Sequence, residues 1–90
     1  MVYINEHQAI NFKHVTVAGE DGANRRATVC ELVVVNNNES TVLSQGIAYC
    51  HPKDNFNKSQ GRKISLAKAL SKAGLAKDAR TQYWEAYNNR

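Results

Sequence analysis

The chain has 90 residues, 42% hydrophobic and 22% charged, with a single proline, a composition that fits one small folded domain and excludes a disordered tail. Its net charge of +4 is unevenly divided: three basic residues stand against five acidic ones in residues 1–50, and nine against three in residues 51–90, so the halves carry −2 and +6. No apolar run approaches the ~20 residues of a membrane helix, and Met1-Val2-Tyr3-Ile4-Asn5-Glu6 lacks the basic and apolar regions of a secretory signal, so a cytoplasmic protein is expected.

Three segments read as strands in chain order: residues 10–18, 26–35 and 41–50. They are rich in Val, Thr, Ile and aromatics, and turn-like stretches at residues 19–24 and 36–40 separate them. Such short connectors favour antiparallel hairpins, so residues 1–50 read as a three-stranded meander. A turn near Asn38 makes opposing positions sum to about 76, which sets Cys30 across from Gly46. Cys50 is then four residues away along the strand, at ~3.3 Å each, beyond the reach of a disulfide. Two reduced thiols are expected.

On the middle strand Cys30, Leu32 and Val34 face one way and Val29, Val33 and Val35 the other, so both sheet faces are partly apolar. A C-terminal helix can cover one face. The second face is either a scatter of exposed valines or the surface of a homodimer or partner complex.

From Ser59 the period changes to that of a helix, with Leu66, Ala69, Leu70 and Ala73 on one side and Ser65, Lys68 and Lys72 expected on the other. Ala73-Gly74-Leu75 carries the signature of a left-handed C-cap. A second short helix follows, with Asp78 as expected N-cap and Tyr83, Trp84 and Tyr87 as an aromatic stripe. At this spacing the stripe reads as core, with base stacking the alternative.

Between sheet and helix lies the polar, basic stretch at residues 51–58, running into Gly61, Arg62 and Lys63. Cations near a helix start oppose its dipole, and an anion held there is one reason for them. With Gly61 allowing close approach, Arg62 and Lys63 read as a phosphate site. Lys53, Lys58, Lys68 and Lys72 extend it into a basic surface able to follow a phosphate backbone. The competing reading is a solvated lysine face that keeps a small protein soluble. Cys30, Cys50, His7, His14 and His51 include metal-ligand types but no paired metal-site spacing, so no metal and no cofactor is expected. His51, Asp54 and Cys50 are the only grouping an enzyme would use, and neither carboxylate pairs nor a phosphate-cradling glycine motif occurs.

Two resemblances carry these residues further. Ser59 to Leu70, with Gly61, Arg62, Lys63, Ala67, Lys68 and Leu70, resembles the start of the last helix of double-stranded-RNA-binding domains. That resemblance implies phosphate contacts at Arg62, Lys63 and Lys68, although residues 1–9 are too short for the family's first RNA-contacting helix. Gly46 to Lys63, continuing to Ala69-Leu70, is similar to a segment of small accessory proteins of tailed bacteriophages. This second likeness implies a viral protein in the host cytoplasm, acting by binding and often against host machinery.

The expectation is thus an α+β domain: a three-stranded antiparallel meander followed by two helices, the longer packed on one sheet face. Its expected function is non-catalytic binding of nucleic acid, or of a host nucleoprotein complex such as a defence nuclease, through Lys53, Lys58, Arg62, Lys63, Lys68 and Lys72. The alternatives are a protein-only interaction module or homodimer, and a small enzyme.

Overall fold

The computed structural model describes residues 1–19, 22–50 and 57–90. Four strands, β1 (Val2–Tyr3), β2 (Gln8–Ala18), β3 (Asn24–Asn36) and β4 (Glu39–Tyr49), precede two helices, α1 (Lys58–Ala73) and α2 (Lys77–Asn88). The sheet is antiparallel throughout, with strand order β1-β2-β3-β4. It therefore has four strands and not the three expected. The additional strand, β1, is two residues long and pairs Val2 with Ile10 and Tyr3 with Ala9. Asn5 makes the turn after it by accepting at Oδ1 from the backbone N–H groups of His7 (2.8 Å) and Gln8 (3.0 Å).

The β3–β4 hairpin turns on Asn37 and Asn38, at φ 50° and 68°, the left-handed region that asparagine tolerates and a two-residue hairpin requires. Cys30 pairs with Gly46 as expected, and both cysteines are reduced. A bulge at Leu32/Val33 shifts the register by one, pairing Leu32 with Ser44 and Val33 with Val42. The residue it skips, Leu43, is left exposed.

Both helices lie on one face. Ile10, Cys30 and Leu32 of the sheet meet Leu66, Ala69 and Leu70 of α1 and Tyr83 and Tyr87 of α2 in one buried cluster. Each fully buried leucine or isoleucine there stabilises the fold by ~1.5–3 kcal/mol relative to exposure. The aromatic stripe is core: Tyr83 and Tyr87 are buried, and Phe12 meets Tyr87 edge-on at 5.7 Å.

The sequence misplaces three local features. Ser65 is fully buried where a solvent-facing residue was expected; its hydroxyl donates to the Arg62 carbonyl at 3.1 Å, which lets a small polar side chain pack against the sheet. The α2 N-cap is Ala76, and Asp78 lies within the first turn, where its charge still favours the helix dipole. Gly74 takes φ 66° and caps α1 as expected. Finally, α1 begins at Lys58, capped by Asn57 Oδ1 accepting from Gln60 N at 3.1 Å, so Arg62 and Lys63 sit in its second turn. Residues 1–9 hold β1 and the start of β2, so the N-terminal helix of a double-stranded-RNA-binding domain is not there.

Candidate nucleic-acid interface

The start of α1 is seated on the sheet by Gly61. A Cβ at this position would fall 3.1 Å from Thr28 Cβ and closer still to Thr28 Oγ1. The expectation that Gly61 opens backbone room for a phosphate is thereby replaced: its missing side chain makes room for Thr28 of β3. Thr28 is fully buried, and its Oγ1 lies 2.9 Å from Nδ1 of His14, its cross-strand partner on β2. Arg26, two residues back along β3, shares the Thr28 face. Lys58 and Arg62, four residues apart on α1, share one face of the helix.

Three permanent cations and an imidazole from three elements therefore converge. The His14 pKa is held below its ordinary 6.5 by desolvation first, then by the positive charges of Lys58, Arg62 and Arg26. His14 is exposed as a residue, so the desolvation acts on the ring edge turned into Thr28. Arg62 is half-buried, and its Nε is out of solvent with no hydrogen-bond partner among the described residues. A guanidinium nitrogen in that state favours an approaching oxyanion.

The remaining expected site residues divide. Lys63 is exposed in the second turn. Lys68 turns to the opposite edge of the sheet, where its Nζ donates to the Ile47 carbonyl of β4 at 3.0 Å. Lys72 is exposed in the last turn of α1, ~21 Å along the helix from Lys58. Lys53 lies outside the described residues, as do His51 and Asp54 of the enzyme reading. Among the described residues, Lys58 and Arg62 thus share one helix face at the start of α1, while Lys68 is turned to β4. Arg26 and His14, on the strands below that helix start, were missed by the sequence reading because they lie in the acidic half of the chain.

The His14–Thr28 contact has the form of a base beside a hydroxyl nucleophile. Thr28 is 0% exposed beneath Gly61, so no substrate atom reaches its Oγ1. Burial pushes the Cys30 thiol up to about 12, aided by the Glu31 charge, which keeps it protonated and inert. Among the described residues no three His, Cys, Asp or Glu side chains come together as metal ligands. No helix among them is long and apolar enough to cross a membrane.

Two other surfaces stand apart from the cluster. A groove of about 560 Å³ runs between β1 and α2, floored by Val2, Ile4 and Ala86 and flanked by Gln82, Glu85 and Arg90. The sheet face opposite the helices aligns Val15, Ala27 and Tyr49 across three strands, next to Lys13, Val29 and Ile47. Tyr49 is 60% exposed there, while Glu31 is held between Lys13 Nζ (3.3 Å) and Asn11 Nδ2 (3.0 Å).

Comparison of the chain with protein-family models, curated proteins and solved structures finds no match in any of the three.

Proposed function

We propose that this protein is a non-catalytic accessory protein of bacteriophage type that acts by binding nucleic acid, or the nucleic-acid path of a host nucleoprotein complex such as a defence nuclease, through the start of α1. The observation that carries the reading is the placement of Lys58 and Arg62 on one face of α1, with the Arg62 Nε out of solvent and without a hydrogen-bond partner among the described residues, seated over the strands that bear Arg26 and His14. The Arg62 Nε edge supports the reading further, because a buried guanidinium N–H left unsatisfied favours an approaching oxyanion. The phage-type assignment rests on the likeness of Gly46 to Leu70 to phage accessory proteins.

The test is fluorescence anisotropy with a short labelled oligonucleotide at low salt. The wild-type protein binds, and Arg62→Ala and Lys58→Ala each weaken binding while circular dichroism shows the fold retained. Absence of binding at low salt, or unchanged affinity in both folded variants, removes the reading.

A second reading is favoured by one observation, the apolar sheet face around Val15, Val29, Ile47 and Tyr49, which neither helix covers. In this reading the face joins two copies of the chain. Sedimentation velocity at rising protein concentration then shows a dimer that Tyr49→Lys dissociates; a monomer at every concentration rules it out.

A further inference from the structure

We propose that the outer edge of β4 is a docking site for an extended segment of a partner protein, which adds a further strand to the sheet and alternates acidic with apolar side chains. The inference goes beyond nucleic-acid binding at the start of α1 and does not rest on it. The main chain of the edge, the side chains along it and the charge beside it each point to that occupant.

The first is the main chain. β4 ends the strand order, so one of its edges has no strand neighbour among the described residues. The Cys50 N–H donates to the Arg26 carbonyl at 2.8 Å, which makes Arg26 and Cys50 a hydrogen-bonded pair of the ladder. Such pairs alternate in an antiparallel sheet. Thr28 and Ala48, then Cys30 and Gly46, are therefore bonded in the same way, while Gln45, Ile47 and Tyr49 turn their N–H and C=O groups outward. A strand laid along them gains a main-chain bond at each outward N–H and C=O. The edge already recruits one donor: Lys68 Nζ bonds the outward Ile47 carbonyl at 3.0 Å, in the place an incoming N–H would take. The bulge at Leu32/Val33 interrupts the ladder beyond Ser44, so the flat part of the site is residues 44–49.

The second is the weak protection of this edge. Edge strands are commonly blunted by charge, proline, short length or a bulge. β4 has the bulge alone: it is 11 residues long, holds no Lys, Arg or Pro, and carries its one charge, Glu39, at the hairpin turn. Val42, Leu43 and Tyr49 along it are three of the six large hydrophobic residues exposed among the described ones. A fourth, Ile64, stands one turn before Lys68 on the same side of α1.

The third is charge, which selects the occupant. α1 runs back along β4, from Gly61 above Thr28, the partner of Ala48, to Ala69, whose carbonyl accepts from Ser44 Oγ at 2.8 Å. Ile64, Lys68 and Lys72 repeat along one side of it at ~6 Å, and alternate residues of a strand repeat at ~6.6 Å. An added strand thus meets Lys68 and Lys72 with every second side chain, and Ile47 and Tyr49 with the others. Carboxylates suit the first row and apolar groups the second. A second copy of the chain suits the edge less well, because pairing residues 44–49 about a two-fold axis sets two Lys68 ammoniums side by side.

The experiment titrates isotope-labelled protein with three short peptides: one alternating valine and glutamate, one alternating valine and lysine, and the valine-glutamate peptide with a proline at its centre. The valine-glutamate peptide is expected to slow hydrogen exchange at the amides of Gln45, Ile47 and Tyr49, while those of Gly46 and Ala48, already bonded to β3, change little. It is expected to bind about tenfold more tightly than the valine-lysine peptide, the scale of one charge-assisted hydrogen bond. The central proline removes the protection. Lys68→Ala, at an exposed position, abolishes the preference for glutamate with the fold retained by circular dichroism, and Lys68→Glu reverses it.

Protection that does not alternate along β4, or no protection with any peptide, overturns strand addition at this edge. Equal affinity for the two charged peptides, or a preference for glutamate that survives both Lys68 variants, overturns the acidic partner. A dimer in sedimentation velocity without peptide, with the same three amides protected as protein concentration rises, places a second copy on the edge and overturns the assignment to a partner protein.

Discussion

Gly61 and Thr28 are in direct contact across the α1–β3 interface, with no room for a methyl group between them. This contact sets the height of the helix start above the sheet, and with it the distance from Lys58 and Arg62 to His14. Adding a methyl by Gly61→Ala gains up to ~1 kcal/mol of helix propensity but overpacks the interface by ~1–3 kcal/mol. The net expectation is a loss of stability in urea denaturation. Thr28→Ala in the same chain removes the obstructing side chain, so Gly61→Ala costs less in that background than in the native one. Equal effects of Gly61→Ala in both backgrounds would show that the contact is not what limits this position.

Gly46 on β4 is more severely constrained. A Cβ there would fall 2.6 Å from the Ala69 backbone N, 2.9 Å from Lys68 Cβ, and nearer still to the Ser65 carbonyl oxygen. These are mostly backbone atoms and cannot rotate away. Gly46→Ala therefore costs more than Gly61→Ala, at the upper end of the ~1–3 kcal/mol overpacking range or beyond. No single side-chain deletion rescues it. Chemical denaturation of the two variants side by side orders them.

Tyr87 is buried against Phe12 and Trp84, and its hydroxyl has no partner among the described residues. Removing an unsatisfied buried hydroxyl relieves its desolvation cost, of order 1 kcal/mol, and keeps the ring contacts. Tyr87→Phe is expected to leave the melting temperature unchanged or raise it. Tyr87→Ala is expected to lose ~3–5 kcal/mol by opening a cavity. A marked loss in Tyr87→Phe would mean that the hydroxyl is hydrogen-bonded in solution.

His14 supplies a pH dependence of defined sign. Its folded pKa lies below the ordinary 6.5, so the unfolded chain takes up the proton more readily. Its neutral form therefore contributes stability that is fully present above pH 6.5 and is lost as pH falls below that value. Among the described residues, Lys58, Arg62 and Arg26 are the charges that act on it. Replacing His14 with Gln should flatten the stability profile between about pH 7 and 5. A bound phosphate favours the imidazolium and is expected to raise the His14 pKa, visible in NMR titration of its ring protons with and without oligonucleotide.

Much of the fold was legible because local and tertiary signals agreed. Asn36-Asn37-Asn38 fixed the β3–β4 turn and placed Cys30 on Gly46, and the Gly74 cap ended α1 where the pattern of Leu66, Ala69 and Leu70 stops. The Val2–Tyr3 strand was missed because two residues show no alternation, and only pairing with Ala9 and Ile10 makes them a strand. The site was half legible. Arg62 and Lys58 stand out in a basic segment, whereas His14 and Arg26 join them only through the register of the β2–β3 hairpin. Its connector around Gly19 and Gly22 admits more than one register, and a one-residue slip between the strands would put these two side chains on opposite faces. Lys68 shows the reverse limit: its place on the helix was readable, but its bond to the Ile47 carbonyl depends on how α1 crosses β4.

A phosphate site at the start of α1 is tested most sharply by the salt dependence of oligonucleotide binding in the wild-type protein, Lys58→Ala and Arg62→Ala. Three phosphate contacts predict a slope of log K against log salt of about −2 on a single strand. Each alanine variant should then reduce that slope by about 0.7 while remaining folded. A wild-type slope near zero, or slopes unchanged in both variants, would contradict that site.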